Sequence, residues 1–140
     1  MWYAILGAVL LAGDQILKYW VVTHLAVGES APFLPGFMQL TRLHNYGAAW
    51  SSLSGRTVLL VVFTAVLLAA VALLLIKKVV RHWTGITACT LILSGGIGNI
   101  IDRIVHGYVV DMFDLQLFSY PVFNLADCCV VVGAILGGIY

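Results

Sequence analysis

Four aspartates lie in or beside apolar stretches of a chain that otherwise carries little charge: Asp14, Asp102, Asp111 and Asp127. The chain is 62% hydrophobic and only 9% charged. A carboxylate near the membrane interior costs roughly 2.5–3.5 kcal/mol on insertion scales, so such groups usually serve chemistry or transport. Asp111 and Asp127 flank the start of the last apolar segment, which makes them the first candidates for a reacting pair.

Two neighbouring carboxyl groups can split a peptide bond if one is ionised and activates water while the other protonates the carbonyl oxygen. Asn124 and Asp127, in the run FNLAD, also have the spacing of a capping box, and capping alone could explain both. The positive helix end favours an ionised Asp127, and a nearby Asp111 would then keep its proton. The pattern predicts Asp127 as the base and Asp111 as the acid.

Other polar residues are spaced so that they share helix faces. Asn99, Asp102 and Arg103 are three and four residues apart. Arg103 is suited to orient a carboxylate, a backbone carbonyl or a lipid headgroup, whereas Asp102 has a structural ion pair as an equal alternative. Asp14 and Lys18 are four apart, which favours a structural ion pair within one helix.

A tight turn is predicted at HNYGAAWS (residues 44–51), with Asn45 free to bind backbone. The four histidines are isolated in sequence, and no HExxH-like spacing suggests a metal site. We therefore expect no metal and no cofactor. Cys89, Cys128 and Cys129 all lie in apolar segments and are interpreted as small core residues.

The composition places the chain among polytopic membrane proteins, because its mean hydropathy is +1.06 and a soluble domain is about 25% charged. A net charge of +1 with no long basic run gives no sign of nucleic-acid binding. The predicted fold is an all-α polytopic membrane protein with a small β-sheet and loop region on the outer (periplasmic) side. Four transmembrane helices are expected at about 2–20, 57–76, 84–104 and 122–140.

Orientation follows from the short connection after the second span, which holds three of the seven Lys and Arg residues: Lys77, Lys78 and Arg81. The positive-inside rule places this connection and both termini in the cytoplasm. The four aspartates then lie at one depth near the outer leaflet. Residues 37–44 and 108–118 alternate as short strands and could pair on that side, after a turn region marked by Pro32, Pro35 and Gly36.

Together these runs resemble the lipoprotein signal peptidase family, the bacterial type II signal peptidases. Five pieces carry the resemblance, in the order of the family and over essentially the whole chain: GDQILK (13–18), HNYGAAWS (44–51), GGIGNIIDR (95–103), GYVVDMF (107–113) and FNLADCC (123–129). Trp50, where the family often has phenylalanine, and Cys128, where a small residue is common, depart from the pattern.

The resemblance implies a single aspartic endopeptidase domain, residues 1–140, in the bacterial inner membrane. It implies cleavage of the signal peptide from prolipoproteins before a diacylglyceryl-modified cysteine, and sensitivity to globomycin-type inhibitors. Membrane lipids are the other expected partners. By resemblance the catalytic residues are Asp111 and Asp127, and the supporting residues are Asn45, Asn99, Arg103, Asn124, Asp14, Lys18 and Asp102.

Two alternatives remain open. A proton- or cation-coupled small membrane transporter would also gather acids at one depth, but it should carry polar residues to the other side, where the helices are apolar. A non-enzymatic membrane adaptor would use the acids only as caps and ion pairs. It predicts that Asp111→Asn leaves function intact.

Overall fold

The computed structural model describes residues 1–48 and 52–140, so residues 49–51 at the end of the HNYGAAWS run, Trp50 among them, lie outside the described residues. The elements follow in chain order: α1 (Trp2–His24), β1 (Ser30–Leu34), β2 (Met38–Asn45), α2 (Thr57–Ile76), α3 (Trp83–His106), β3 (Val109–Leu115) and α4 (Leu125–Gly138). The predicted helices and both predicted strands are present. α1, α2 and α3 are long and apolar enough to cross a membrane.

The outer surface of the helices is apolar, as a lipid environment requires. α2 is built from 20 residues without a charge, and side chains such as Val58, Phe63 and Val66 are exposed along it. Its bounds agree with the predicted span, because charged residues stand at both ends and none within. Such a face would not be stable against water.

α4 is shorter than its predicted span of 122–140. The helix has 14 residues, about 21 Å of rise. Its start is delayed because Phe123 is held extended against β3, where it exchanges backbone hydrogen bonds with Phe113, and because Asn124 then caps the helix. The prediction extended the apolar segment through residues that belong to the edge of the sheet.

The sheet has three antiparallel strands in the order β1-β2-β3. β2 and β3 pair with Leu40 opposite Phe113 and Asn45 opposite Val109, as expected for the two predicted strands. β1 was not predicted, since Pro32 and Pro35 indicated only a turn. Pro32 is tolerated because β1 is an edge strand and needs no N–H on its open side.

The sheet docks onto the end of α1. Val21 of α1 and Leu25, which follows α1, pack with Leu40, Val110 and Met112 in one cluster of buried hydrophobic residues. Because side chains alternate along a strand, Asp111 lies between two anchored residues and points to the opposite face. The cluster therefore fixes where the Asp111 carboxyl lies relative to the helices.

α3 is the central helix, packed against α1, α2 and α4. Its contact with α4 is close because each helix offers a glycine. A Cβ on Gly95 would meet the carbonyl oxygen of Ala126, and one on Gly133 would lie 2.9 Å from the carbonyl oxygen of Ala88. The glycines at this contact therefore permit close packing of α3 and α4.

Candidate functional site

Asp111 and Asp127 meet at one asparagine. The Asn124 side-chain Nδ2 donates to Asp111 Oδ1 at 2.9 Å, and the Asn124 backbone N–H donates to Asp127 Oδ2 at 3.1 Å. The Asp127 backbone N–H in turn donates to Asn124 Oδ1 at 2.8 Å, which completes the predicted capping box. The cap at the start of α4 therefore joins the two predicted acids.

The orientation of the Asn124 and Asn99 side-chain amides follows from neighbouring groups that can only donate hydrogen bonds. Asn124 Oδ1 must face the backbone N–H of Asp127, so its NH2 group is left for Asp111. Lys18 Nζ donates to Asn99 Oδ1 at 3.2 Å, so the Asn99 NH2 group faces Asp127, which it reaches at 2.9 Å. Lys18 thus determines which end of an amide is presented to Asp127.

The two carboxyl groups have different surroundings. Asp111 is 2% exposed, and burial, with the charge of Asp127 as the second cause, raises its pKa to about 7. Hydrogen bonds from Asn45 and Asn124 offset part of that rise. Asp127 is only half-buried, and its two oxygens accept hydrogen bonds from the Asn99 side chain and the Asn124 backbone N–H. The pair is suited to hold one proton near neutral pH.

A second buried cluster lies beside the pair and contains a cation. Lys18 Nζ is 2.8 Å from Asp14 and 3.0 Å from Asp102, and all three residues are at most 3% exposed. The predicted pair of Asp14 and Lys18 is therefore present, and Asp102 joins it from α3.

The remaining oxygens of these two acids tie the elements together. Asp14 accepts from the backbone N–H of Ala126, at the start of α4, at 2.9 Å. Asp102 accepts from the backbone N–H of Val110, in β3, at 3.0 Å. The two elements that carry Asp127 and Asp111 are thus each fixed by a carboxylate that Lys18 neutralises.

Asn45 and Arg103 meet at the turn that follows β2. Asn45 bonds the turn's backbone, accepting from Gly47 N–H at 2.9 Å and donating to the Ala48 carbonyl at 3.2 Å. Arg103 donates to the Gly47 carbonyl at 3.1 Å, one of the three partner types predicted for it. Both residues therefore hold the turn, while Asn45 also reaches Asp111.

Gln15 belongs to the cluster and was not predicted. Its Nε2 lies 3.3 Å from both Asp14 and Asp102 and 3.2 Å from the Gly98 carbonyl, so it bridges α1 and α3. A signal was present, because Gln15 is an amide inside an apolar helix and lies within GDQILK. Across residues 1–48 and 52–140, no group of three His, Cys, Asp or Glu side chains could hold a metal ion.

The profile of the family described as signal peptidase (SPase) II matches residues 6–140. The chain belongs to the signal peptidase II family. The lipoprotein signal peptidase of Enterococcus faecalis is 41% identical over 138 residues, covering 99% of this chain and 86% of the relative. That of Lactiplantibacillus plantarum is 40% identical over 136 residues, covering 96% and 91%.

The fold of this signal peptidase II family member has close neighbours among solved structures. One, described as a bacterial membrane enzyme, has a TM-score of 0.93 and 32% identity, and the match covers 98% of this chain and 85% of the other. A second bacterial membrane enzyme has a TM-score of 0.89 and 34% identity, covering 98% and 90%. With its long apolar helices, the chain is a multi-pass bacterial membrane protein from a family of peptidases.

Proposed function

We propose that the chain is an aspartic endopeptidase that removes the signal peptide from prolipoproteins, cutting before the diacylglyceryl-modified cysteine. The names of its relatives support the substrate class. The observation that carries the aspartic mechanism is the contact of one asparagine with both carboxyl groups, one buried with its pKa raised to about 7 and one half-buried.

In the first step Asp127, ionised, takes a proton from water as the oxygen attacks the scissile carbonyl. Asp111 gives its proton to the carbonyl oxygen, so the tetrahedral intermediate carries two hydroxyl groups and no net charge. The raised pKa of Asp111 suits this role, since a carboxyl at its ordinary pKa of 3.8 would hold no proton near pH 7. The hydrogen bonds that Asn99 and Asn124 donate to Asp127 stabilise its charge before the step.

In the second step the C–N bond breaks. Asp127 returns its proton to the leaving nitrogen of the cysteine, and Asp111 recovers a proton from one hydroxyl of the intermediate as the new carboxyl group forms. The pair ends with the same single proton with which it began. Apparent pKa values of the reaction would therefore belong to the pair.

The supporting residues divide into two groups. Asn45, Asn99, Asn124 and Arg103 line the pair or its neighbouring turn, and we assign them to holding substrate backbone and lipid. Asp14, Lys18 and Asp102 are buried and bonded to the elements that carry the pair, so we assign them to positioning it.

We assign the whole of residues 1–140 to one domain that crosses the membrane four times, with α4 as the shortest crossing. The basic connection 77–82 and both termini would face the cytoplasm, and the sheet would rest at the outer leaflet. Globomycin-type inhibitors would compete with substrate at the pair. The proton- or cation-coupled transporter remains the alternative function.

The test compares three variants on a purified lipid-modified preprotein. Asp111→Asn and Asp127→Asn should each lower the cleavage rate by at least about a thousandfold, because each removes half of the acid–base pair. Asp114→Asn is the matched control: it lies on the same strand, bonded to Gln39 and Thr41, and should keep cleavage. Cleavage by Asp127→Asn at the rate of Asp114→Asn would reject the aspartic mechanism, and loss of ion flux without loss of cleavage would favour the transporter.

A further inference from the structure

A cavity of about 700 Å³ opens between α1, α2 and α3, at the ends of these helices that lie away from Asp111 and Asp127. We call it the α1–α2 groove. Its walls are apolar and include Gly7, Leu11, Leu75, Ile86 and Leu93. Cavities that hold small ligands are of this size, about 300–1,000 Å³.

The groove exists because α1 and α2 both pack against α3 but make no extensive contact with each other within the described residues. α3 forms its floor from Ile86 to Ile97, which is about 16 Å along the helix axis. That length is about half of a hydrocarbon core about 30 Å thick, the depth of one leaflet. The groove therefore has the length of one lipid chain.

Two cations, Lys78 and Arg81, stand at the mouth of the groove. Their connection is ordered: Arg81 Nε donates to the Lys78 carbonyl at 2.9 Å, and the His82 side chain caps α3. Lys78 has φ +54°, a left-handed conformation in which glycine is usual after a helix end. A lysine is less stable than glycine in this conformation, so the charged side chain is present here against the preference of the backbone.

We propose that the α1–α2 groove binds one anionic phospholipid of the surrounding membrane, with an acyl chain along the groove and the phosphate at Lys78 and Arg81. The charge at the mouth argues against the signal peptide of a substrate as occupant, because its basic n-region would meet two cations. A zwitterionic lipid would fill the groove but would be attracted less strongly by the two cations at its mouth. The site is distinct from the Asp111–Asp127 pair and does not depend on the proposed peptidase mechanism.

The experiment measures lipid bound to the purified protein by native mass spectrometry, with phosphatidylglycerol and phosphatidylcholine of identical acyl chains as probes. The wild type should retain one phosphatidylglycerol in preference to phosphatidylcholine. Lys78→Gly and Arg81→Gln should each reduce that preference about fivefold, the effect of about 1 kcal/mol per cation at an anionic lipid. Lys78→Gly should fold at least as well as the wild type, because glycine adopts positive φ freely.

Two controls separate headgroup, chain and general charge. Lys77→Gln removes a neighbouring cation that does not line the groove and should leave the preference within twofold. Ala8→Phe places a ring in the groove and should lower binding of both lipids, while glycerol phosphate without chains should displace neither. The proposal would be overturned if the wild type retained the two lipids equally, or if a signal peptide displaced the lipid. It would also be overturned if Lys77→Gln reduced the preference for phosphatidylglycerol as much as Lys78→Gly does.

Discussion

Two buried acidic clusters lie side by side at one end of the helices, and they differ in what neutralises them. In the first, Asp14 and Asp102 share Lys18, and their other oxygens accept backbone N–H groups. In the second, Asp111 and Asp127 are held by the amides of asparagines, with no ion pair to a cation among the described residues. A cation supplies its partners with an opposite charge, whereas neutral amides supply hydrogen bonds without one.

The difference suggests how the same side-chain type serves two purposes. The carboxylates paired with Lys18 connect the helices to each other and to the backbone of neighbouring elements. In the proposed mechanism, the carboxyls held by amides share one proton and exchange it with the substrate. Lys18 links the clusters, since it also fixes the amide of Asn99 that reaches Asp127.

The largest effect on stability is expected when the Lys18 cation is removed. Lys18→Met should lower the free energy of unfolding by about 3–5 kcal/mol, because it leaves Asp14 and Asp102 buried without a counter-charge. The measurement is reversible unfolding in mixed micelles. Lys77→Met, an exposed lysine at the end of α2, is the control and should change stability by less than about 0.5 kcal/mol. Equal effects of the two substitutions would contradict the assignment of Lys18 as the neutralising charge.

A smaller and pH-dependent effect is expected at the amide-held pair. Between about pH 5 and 7 the folded wild type holds an Asp111 proton that the unfolded chain, with its pKa near 3.8, has released. Stability of the wild type therefore falls as pH rises toward 7, and Asp111→Asn lacks this loss. From pH 5 to pH 8 the variant should gain about 2–3 kcal/mol relative to the wild type. A difference that is constant with pH would mean that Asp111 is ionised throughout.

The smallest effect is expected at Gln15, which adds a neutral donor to the lysine-centred cluster. Gln15→Met should cost about 1 kcal/mol, because Lys18 still neutralises both acids when the bridge to α3 is lost. Gln116→Met, at an exposed glutamine whose side chain donates to the neighbouring Asp114 carbonyl, provides the comparison in the same unfolding assay. If Gln15→Met lowered the free energy of unfolding as much as Lys18→Met, the Gln15 amide and not the Lys18 charge would be the main stabilising group of the first cluster.

The sequence predicts those features that one segment determines by itself. α2 is correct in its bounds because a charge-free apolar run has charges on both sides, and the capping box follows from the spacing of Asn124 and Asp127. β1 was missed because five mostly exposed residues with a proline give no strand pattern.

Contacts between segments could not be predicted from a single sequence. The spacing of Asp14 and Lys18 predicts their pairing, but nothing in it indicates that Lys18 also meets Asp102 or that Asp14 holds the first turn of α4. These contacts depend on how α1, α3 and α4 are placed together. The convergence of Asp111 and Asp127 was expected mainly from the resemblance and from their predicted common depth.

The glycine contact between α3 and α4 limits how far these two helices can move relative to each other. Gly95 touches the backbone of α4 one helical turn, about 6 Å, before Asn99, which reaches Asp127. A reacting constellation functions within about 0.5 Å of its proper geometry. A methyl group added at Gly95 would push α3 and α4 apart by more than about 0.5 Å. The alignment of Asp111 and Asp127 therefore depends on direct backbone contact and not on adjustable side chains.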